Sequence, residues 1–195
     1  MLKRFTDIVF SLAGIIILSP FLIIFSILIL FDSKGGVFYR QIRVGKENKD
    51  FILFKFRTMY VNSDIKGLLT VGSRDNRITK YGHFLRKYKL DELPQLFNVL
   101  IGDMSLVGPR PEVRKYVDMY NEEQLKVLSI KPGITDYASI KYSNENELLG
   151  KTNDPEMLYI NEIMPLKLKF NLYYIKHQSF ITDFKIIIDT FKKIF

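Results

Sequence analysis

From Ile8 to Phe31 the chain runs for 24 residues without a charge, IVFSLAGIIILSPFLIIFSILILF. As a straight helix rising about 1.5 Å per residue, such a run reaches across a hydrocarbon core about 30 Å thick. It predicts a membrane segment. It is too long for a removed leader, and no small-residue cleavage signature precedes the basic continuation. Two features argue against a simple span. Ser19 and Pro20 stand in mid-run, where proline removes a backbone hydrogen bond and clashes with the preceding turn, costing about 3 kcal/mol or forcing a kink. Lys3 and Arg4 precede the run while Lys34, Arg40, Arg43 and Lys46 follow it, so the cytoplasmic preference of basic flanks pulls both ends to one side. A helix broken at Ser19 and Pro20 that enters and leaves the same leaflet meets both conditions. The Ser19 hydroxyl can then return a hydrogen bond to a backbone group that the proline leaves unpaired. A kinked ordinary span is the alternative, and Asp7 is expected to pair with a nearby base.

After Gly35 and Gly36 the pattern changes. VFYRQIRVGKENKDFILFKFRTM alternates apolar positions around Gly45 and predicts a short hairpin ending near Met59. On a strand, Lys55 and Arg57 share a face and aim two cations at one site; a solvated basic face is the plainer reading. The stretch SRDNRITKYGHFLRKYKLDELPQLFNVLIGDMSLVGPRPE reads as loop, helix, loop, helix and a Gly-Pro turn. In its second helix Leu93, Leu96, Phe97 and Leu100 recur at i, i+3, i+4 and i+7, with Pro94 in the first turn and Gly102 as the stop. Farther on, IKPGITDYASI is a turn into a strand or loop, with Lys131 a candidate phosphate contact or a plain turn residue. YSNENELL opens a short capped helix, and DPEMLYINEIMPLKLKFNLYYIKHQ is helical with Pro165 as an interruption, Tyr173 and Tyr174 being expected in the core. The last segment puts Phe180, Phe184, Ile187, Ile188, Phe191 and Phe195 on one helical face, suited to a headgroup layer or to the domain surface.

The candidate chemistry lies where that second helix begins. Asp91 and Glu92 stand at its N-terminus, where acids commonly satisfy free backbone donors. Arg86 lies one turn upstream, and GPRPE brings Arg110 back on a rigid turn. Carboxylates among arginines and lysines also suit a divalent metal and a pyrophosphate. Both readings, cap and reaction centre, stand at this point.

Composition narrows the classes. The 195 residues hold 29 Lys and Arg against 21 Asp and Glu, a formal charge of +8, which favours anionic partners. With no cysteine, and with His83 and His177 far apart, thiolate and His-based zinc sites are excluded or improbable. The length suits one sizeable domain, or a small domain with an anchor.

Several motifs occur in order: Lys3, Arg4 and Asp7; Ser19 with Pro20; QIRVG; FKFRTM; LRKYKLDELPQLFNVLIGDMSLVGPRPE; and KPGIT. Over nearly the whole chain they resemble the bacterial sugar transferases, in the small monotopic phosphoglycosyl transferase form. The resemblance implies an α+β, mostly helical protein: a re-entrant membrane anchor over residues 1–34, then a compact cytoplasmic catalytic domain over residues 35–195 with a small β-hairpin, amphipathic interfacial helices and a C-terminal interfacial helix. It implies the cytoplasmic face of the bacterial inner membrane. The implied reaction moves a sugar 1-phosphate from a nucleotide sugar, usually a UDP sugar, to undecaprenyl phosphate, initiating glycoconjugate synthesis with Mg2+ as cofactor. Asp91 falls on the nucleophile and Glu92 on its partner in an acidic dyad that shares the metal. Arg86 and Arg110 match phosphate-binding positions, as Lys55 does less closely. After KPGIT the chain departs from the family pattern with Asp136, Tyr137, Ala138, Ser139 and Ile140. The competing readings are a single-step transferase with Asp91 only a metal ligand, and a membrane-tethered basic binding protein. No nucleic-acid module is recognisable. The oligomeric state stays open, a homodimer through the interfacial helices included.

Overall fold

The computed structural model describes residues 2–63, 69 and 75–194. Ser73 and Arg74 of the predicted loop, and Phe195 of the terminal face, lie outside the described residues. The chain is mostly helical with two small sheets. Helix α1 spans Leu2–Asp32 as one continuous helix with Pro20 inside it. The expected break at Ser19 and Pro20 is therefore not an interruption of helical structure. The predicted repair is present: Ser19 Oγ donates to Ile16 O at 2.8 Å, the carbonyl that proline at position 20 cannot serve. Only 6% of the most apolar window of α1 is buried, so this is not the core helix of a soluble fold.

Both ends of α1 are tied to the rest of the chain. Near its start, Arg4 donates to the carbonyls of Val99 and Leu100 at 2.5 and 2.8 Å, and Lys3 pairs with Asp183 at 2.5 Å. Asp7 is buried and accepts from Ser105 Oγ at 3.0 Å and Leu106 N at 3.1 Å, so its partners are a hydroxyl and an amide rather than a base. At its end, Arg57 donates to the carbonyls of Ser33 and Lys34 at 2.7 and 2.8 Å, and Asp32 accepts from Tyr81 N. Arg57 thus caps the close of α1 instead of joining Lys55, because the strand stops one residue before it.

Strands β1 (Phe38–Val44) and β2 (Asp50–Phe56) form the predicted hairpin, with Tyr39 opposite Lys55 and Arg43 opposite Phe51. Helix α2 (Lys80–Lys87) leads through Lys89, in the left-handed region at φ 55°, into a 3-10 turn over Leu90–Glu92; α3 (Gln95–Ile101) follows, closed by Gly102 at φ 105°. Strands β3 (Ser105–Val107) and β4 (Gly133–Thr135) pair in parallel. Gly108 and Gly133 make this possible, since a Cβ on Gly133 would stand 2.0 Å from Gly108 N. Short helices α4 (Arg114–Val117), α5 (Glu122–Leu125), α6 (Tyr137–Lys141), α7 (Glu145–Leu149) and α8 (Pro155–Leu158) follow. A π-helical turn at Tyr159–Ile163 then leads into α9 (Met164–Lys176), where Pro165 sits in the first turn as expected of an interruption. Helix α10 (Phe180–Ile194) ends the described chain.

The main core gathers Val113, Tyr116, Val127, Leu149, Ile163 and Leu168 with their neighbours. A second apolar group locks Ile29 of α1 against Phe56 and Leu85. The apolar face of α3 is turned relative to expectation, and that of α10 is mostly exposed. In α3 the buried residues are Gln95, Asn98 and Val99, while Phe97 and Ile101 stay exposed and Leu96 lies against Gly14 of α1. In α10, Ile186 is buried and Ile187 packs inward, leaving Phe180, Ile181, Phe184, Ile188 and Phe191 outside. An apolar stripe marks a non-aqueous face, but the stripe alone does not say whether protein or lipid covers it. Tyr174 is fully buried as expected, its hydroxyl donating to Asp183 at 2.6 Å, whereas Tyr173 is exposed and stacks on His177.

Candidate active site

The structure separates the two readings of Asp91 and Glu92. Neither side chain caps a helix: the 3-10 turn starts from Lys89 and α3 from Pro94, both without a side-chain cap. Both acids are buried, 6% and 9% exposed. Burial is costly for carboxylates unless they are paired. Glu92 meets that cost fully. Its Oε1 accepts from Lys55 Nζ at 2.9 Å, and Arg110 grips the same carboxylate with both terminal nitrogens, 3.1 Å on Oε2. Burial pushes the pKa of Glu92 up, but Arg110 and Lys55 outweigh it and hold it well below the ordinary value.

Asp91 is the contrasting member. Among the described residues nothing donates a hydrogen bond to its carboxylate. Burial, then the charge of Glu92, push its pKa above the ordinary carboxylate value, against the pull of Lys55, Arg86 and Lys89. Arg86, on α2, is itself largely buried; burial lowers its pKa and the charge of Asp91 works against that. The predicted set of Asp91, Glu92, Arg86, Arg110 and Lys55 is therefore one cluster. Ser19 and Pro20 belong to α1 and to no part of it, and Lys131 lies beside Arg4 and Gly102 at the N-terminal end of α1.

Local structure explains how five residues from four segments converge. Asn98 docks α3 onto the hairpin: its Oδ1 accepts from Phe54 N at 2.9 Å and its Nδ2 donates to Ile52 O at 2.7 Å. That side chain completes the edge of β2 as a strand would, and sets the turn carrying Asp91 and Glu92 against Lys55. On the other side, the close passage of Gly108 by Gly133 brings Arg110 beside Asp136, which accepts from Arg110 N at 3.2 Å and from Ser139 N at 2.6 Å. Arg43 donates to Pro111 O at 3.1 Å and Glu112 Oε1 at 2.9 Å, and Tyr159 closes the far side of Glu112. A small cleft beside Lys55 and Arg110 is lined by Arg43, Leu53, Lys55, Gln95, Arg110 and Pro111.

Sequence reasoning missed Arg43, Glu112, Asn98 and Asp136 as parts of this frame. Arg43 was within reach, because hairpin parity puts positions 39, 41 and 43 on the face of Lys55. Asn98 also left a trace: it lies seven residues beyond Asp91, two helical turns on, as an amide amid apolar neighbours. Asp136 and Glu112 left no such sign, since their partners are remote in sequence or set by a turn.

The donor set fits a hard divalent cation. Asp91 offers carboxylate oxygens to which no described residue donates a hydrogen bond, with Glu92 next to it, and Mg2+ needs only one or two carboxylates because it keeps several waters. Among the described residues no three His, Asp or Glu side chains cluster.

The family model described as "Bacterial sugar transferase" matches residues 1–195. The chain is 37% identical over 196 residues to a UDP-N-acetylgalactosamine-undecaprenyl-phosphate N-acetylgalactosaminephosphotransferase of Aeromonas hydrophila, covering 99% of this chain and 43% of that protein. It is 37% identical over 188 residues to a UDP-glucose:undecaprenyl-phosphate glucose-1-phosphate transferase of Klebsiella pneumoniae, covering 95% and 38%. Against sugar transferase EpsL of Bacillus subtilis (strain 168) identity is 37% over 197 residues, covering 100% and 87%. The chain spans less than half the length of the first two relatives. With a family match from end to end and a relative of similar length, the chain belongs to the bacterial sugar transferase family.

Proposed function

We propose that the protein is a phosphoglycosyl transferase that moves a sugar 1-phosphate from a UDP sugar to undecaprenyl phosphate, with Asp91 as a covalent nucleophile. The observation that carries the reading is the Asp91 carboxylate, buried beside Glu92, Lys55 and Arg86 and given no hydrogen-bond donor by the described residues. The names of the relatives supply the substrate class.

In the first step an Asp91 oxygen attacks the phosphorus that bears the sugar. The bond from that phosphorus to the bridging oxygen breaks, and UMP departs with the electron pair. In the second step an oxygen of undecaprenyl phosphate attacks the same phosphorus and the Asp91 carboxylate leaves. Atoms and charges balance without a redox partner. Electrostatics is the obstacle, since an anion approaches a pyrophosphate. Lys55 and Arg110 face the cleft, and Arg86 lies by Asp91, so cations flank the approach. Glu92 keeps Lys55 and Arg110 charged and fixed while remaining too engaged to compete as nucleophile. When bound by Asp91 and Glu92, Mg2+ would supply neutralisation of the phosphate oxygens.

The reading extends to the membrane. A straight helix of 31 residues is about 46 Å long, and both ends of α1 are held by one domain, at Val99, Leu100 and Asp183 on one side and Arg57 and Tyr81 on the other. A helix crossing the bilayer sends its ends to opposite sides. The shared docking supports a monotopic anchor entering from the cytoplasmic face, with the exposed face of α10 in the headgroup layer.

The test uses the full chain in lipid nanodiscs with a UDP sugar and Mg2+ but no polyprenol phosphate. UMP release at one equivalent with a phosphosugar adduct on Asp91 is expected, followed by lipid-linked product when undecaprenyl phosphate is added. Product without any adduct, and with sequential rather than ping-pong kinetics, would leave Asp91 a metal ligand in a single-step transfer. No lipid-linked product would leave only a basic binding protein.

A further inference from the structure

The turn that carries Arg110 is held by the strand beside it. From Gly108 to Pro111 the two prolines have no amide hydrogen, so Gly108 and Arg110 are the only backbone donors. Both are taken by the end of β4: Gly108 N donates to Thr135 O at 3.1 Å, and Arg110 N to Asp136 Oδ2 at 3.2 Å. Pro109 O in turn accepts from Gly133 N at 2.9 Å. Residues 133–136 therefore set where the Arg110 backbone stands. They are themselves set against α10. Thr135 is buried, and its Oγ1 lies 2.6 Å from Thr190 Oγ1, 55 residues away in sequence. Thr190 gives its one hydroxyl hydrogen to Ile186 O at 2.7 Å, so Thr135 is the donor in the pair. On α10 the residues Asp183, Ile186 and Thr190 recur at i, i+3 and i+7 as the inward face: Asp183 meets Lys3 and Tyr174, and Ile186 packs with Val107 and Tyr174. Phe180, Phe184, Ile188 and Phe191 stay exposed.

We propose that Thr190 is a positioning residue for Arg110, acting through Thr135 and Asp136, so that transfer depends on how α10 is seated on the two short strands. The inference rests on the transferase reading for the task of Arg110. Thr190 itself touches neither substrate nor reacting atoms. Its hydroxyl fixes β4 against α10. A methyl group in its place leaves the buried Thr135 hydroxyl without its acceptor, a cost that β4 can relieve only by shifting. Such a shift reaches Gly108 N and Arg110 N directly, since both are bonded to residues 135 and 136. Arg110 has to meet charge building on the phosphate oxygens and the departing nucleotide, where stabilisation depends on donors held in place beforehand. Helix α10 thereby gains a second role. Its exposed face suits the headgroup layer, and its inward face holds the strand that places the cation.

Two variants of the full chain in lipid nanodiscs test this: Thr190→Val removes the hydroxyl at nearly constant volume, and Thr190→Ser keeps it. Hydrogen exchange of the Gly108 and Arg110 amides is measured beside kcat and KM for lipid-linked transfer, with UDP-N-acetylgalactosamine and UDP-glucose as donors. In Thr190→Val both amides are expected to exchange about tenfold faster than in the wild type, the scale of one hydrogen bond. Turnover should fall by a similar factor of about ten, carried by kcat, with KM changing less than about threefold. Thr190→Ser should bring exchange and kcat back to within about twofold of the wild type, since the hydroxyl and not the methyl is the working group. Unchanged exchange in Thr190→Val overturns the proposal, whatever happens to turnover. So does faster exchange with an unchanged kcat, or a serine variant as impaired as the valine one, which would assign the effect to packing. Should the valine variant lose its melting transition, Thr190→Ala carries the same comparison. The exchange measurement needs no substrate, so it decides whether Thr190 holds the turn even if no transfer is found, and its failure leaves the transferase reading untouched.

Discussion

Two clusters of buried charge hold this protein together, and they are finished to different degrees. At the N-terminal end of α1, Lys3 pairs with Asp183, which also accepts from Tyr174; Arg4 spends both terminal nitrogens on the last carbonyls of α3; and Asp7 accepts from Ser105 and Leu106. Each of these charges has a partner within the fold. At the other cluster Lys55, Glu92 and Arg110 pair with one another, but among the described residues nothing donates a hydrogen bond to Asp91. A completed network positions its elements. An incomplete one carries a free-energy cost that a substrate or cation can relieve, which is why the reaction centre is proposed at the second cluster and not at the first.

The strongest break of this comparison is Asp91→Asn. On the proposed mechanism transfer should fall by about four orders of magnitude, the scale seen when a covalent nucleophile is removed, with stability equal to or above the wild type because a buried charge beside Glu92 is gone. UMP release and thermal melting of the same preparation check both halves; a large loss of stability would place Asp91 among the structural charges. Glu92→Gln should behave oppositely. It strands Lys55 and Arg110 without their counter-charge, and removing one member of a buried pair costs about 3 kcal/mol or more, so the urea midpoint should drop together with activity.

What the sequence disclosed follows the same division. The apolar N-terminal helix, the hairpin and the helix after Glu92 were legible because hydrophobic period and glycine or proline punctuation are local signals. Asp91 and Glu92 were legible as a pair, but their roles were not, for a cap and a reaction centre look alike until partners are known. The inward face of α3 was misjudged because its buried positions are polar, Gln95 and Asn98 beside Val99, while Phe97 and Ile101 stay exposed. Arg57 was misjudged for a simpler reason, that the strand ended one residue early and turned its guanidinium to the close of α1. Ser19 was read correctly because its partner is only three residues away.

Within the satisfied cluster, Asp7→Ala should cost about 2 kcal/mol by stranding the Ser105 hydroxyl and the Leu106 amide, while activity per folded molecule changes little. A fall in kcat at full folding would show that the α1 clamp does more than hold. A smaller effect is expected at Asp136, which links the two functions. Its two oxygens serve Arg110 N and Ser139 N separately; Asp136→Asn replaces one acceptor with a donor and so loosens Arg110 or the start of α6. Turnover should drop about tenfold, the scale of one misplaced hydrogen bond, and Asp136→Ala should be at least as impaired, measured as kcat/KM for the UDP sugar.

Glu112 offers the finest test, because it distinguishes a finished network by pH rather than by deletion. Burial raises its pKa, but Arg43, Lys167 and the Tyr159 hydroxyl outweigh burial and leave it below the ordinary 4.5. In the window between the folded value and 4.5 the unfolded chain therefore binds the extra proton, so stability must rise with pH there. The contribution of Glu112 is fully present above 4.5 and is lost as pH falls through the folded value. Glu112→Gln should accordingly be less stable than the wild type at neutral pH, with the gap between the two narrowing on acidification below 4.5. Urea midpoints measured across that range decide it: a gap that stays constant means that the charge of Glu112 contributes nothing, and that packing of Tyr159 alone braces the turn carrying Arg110.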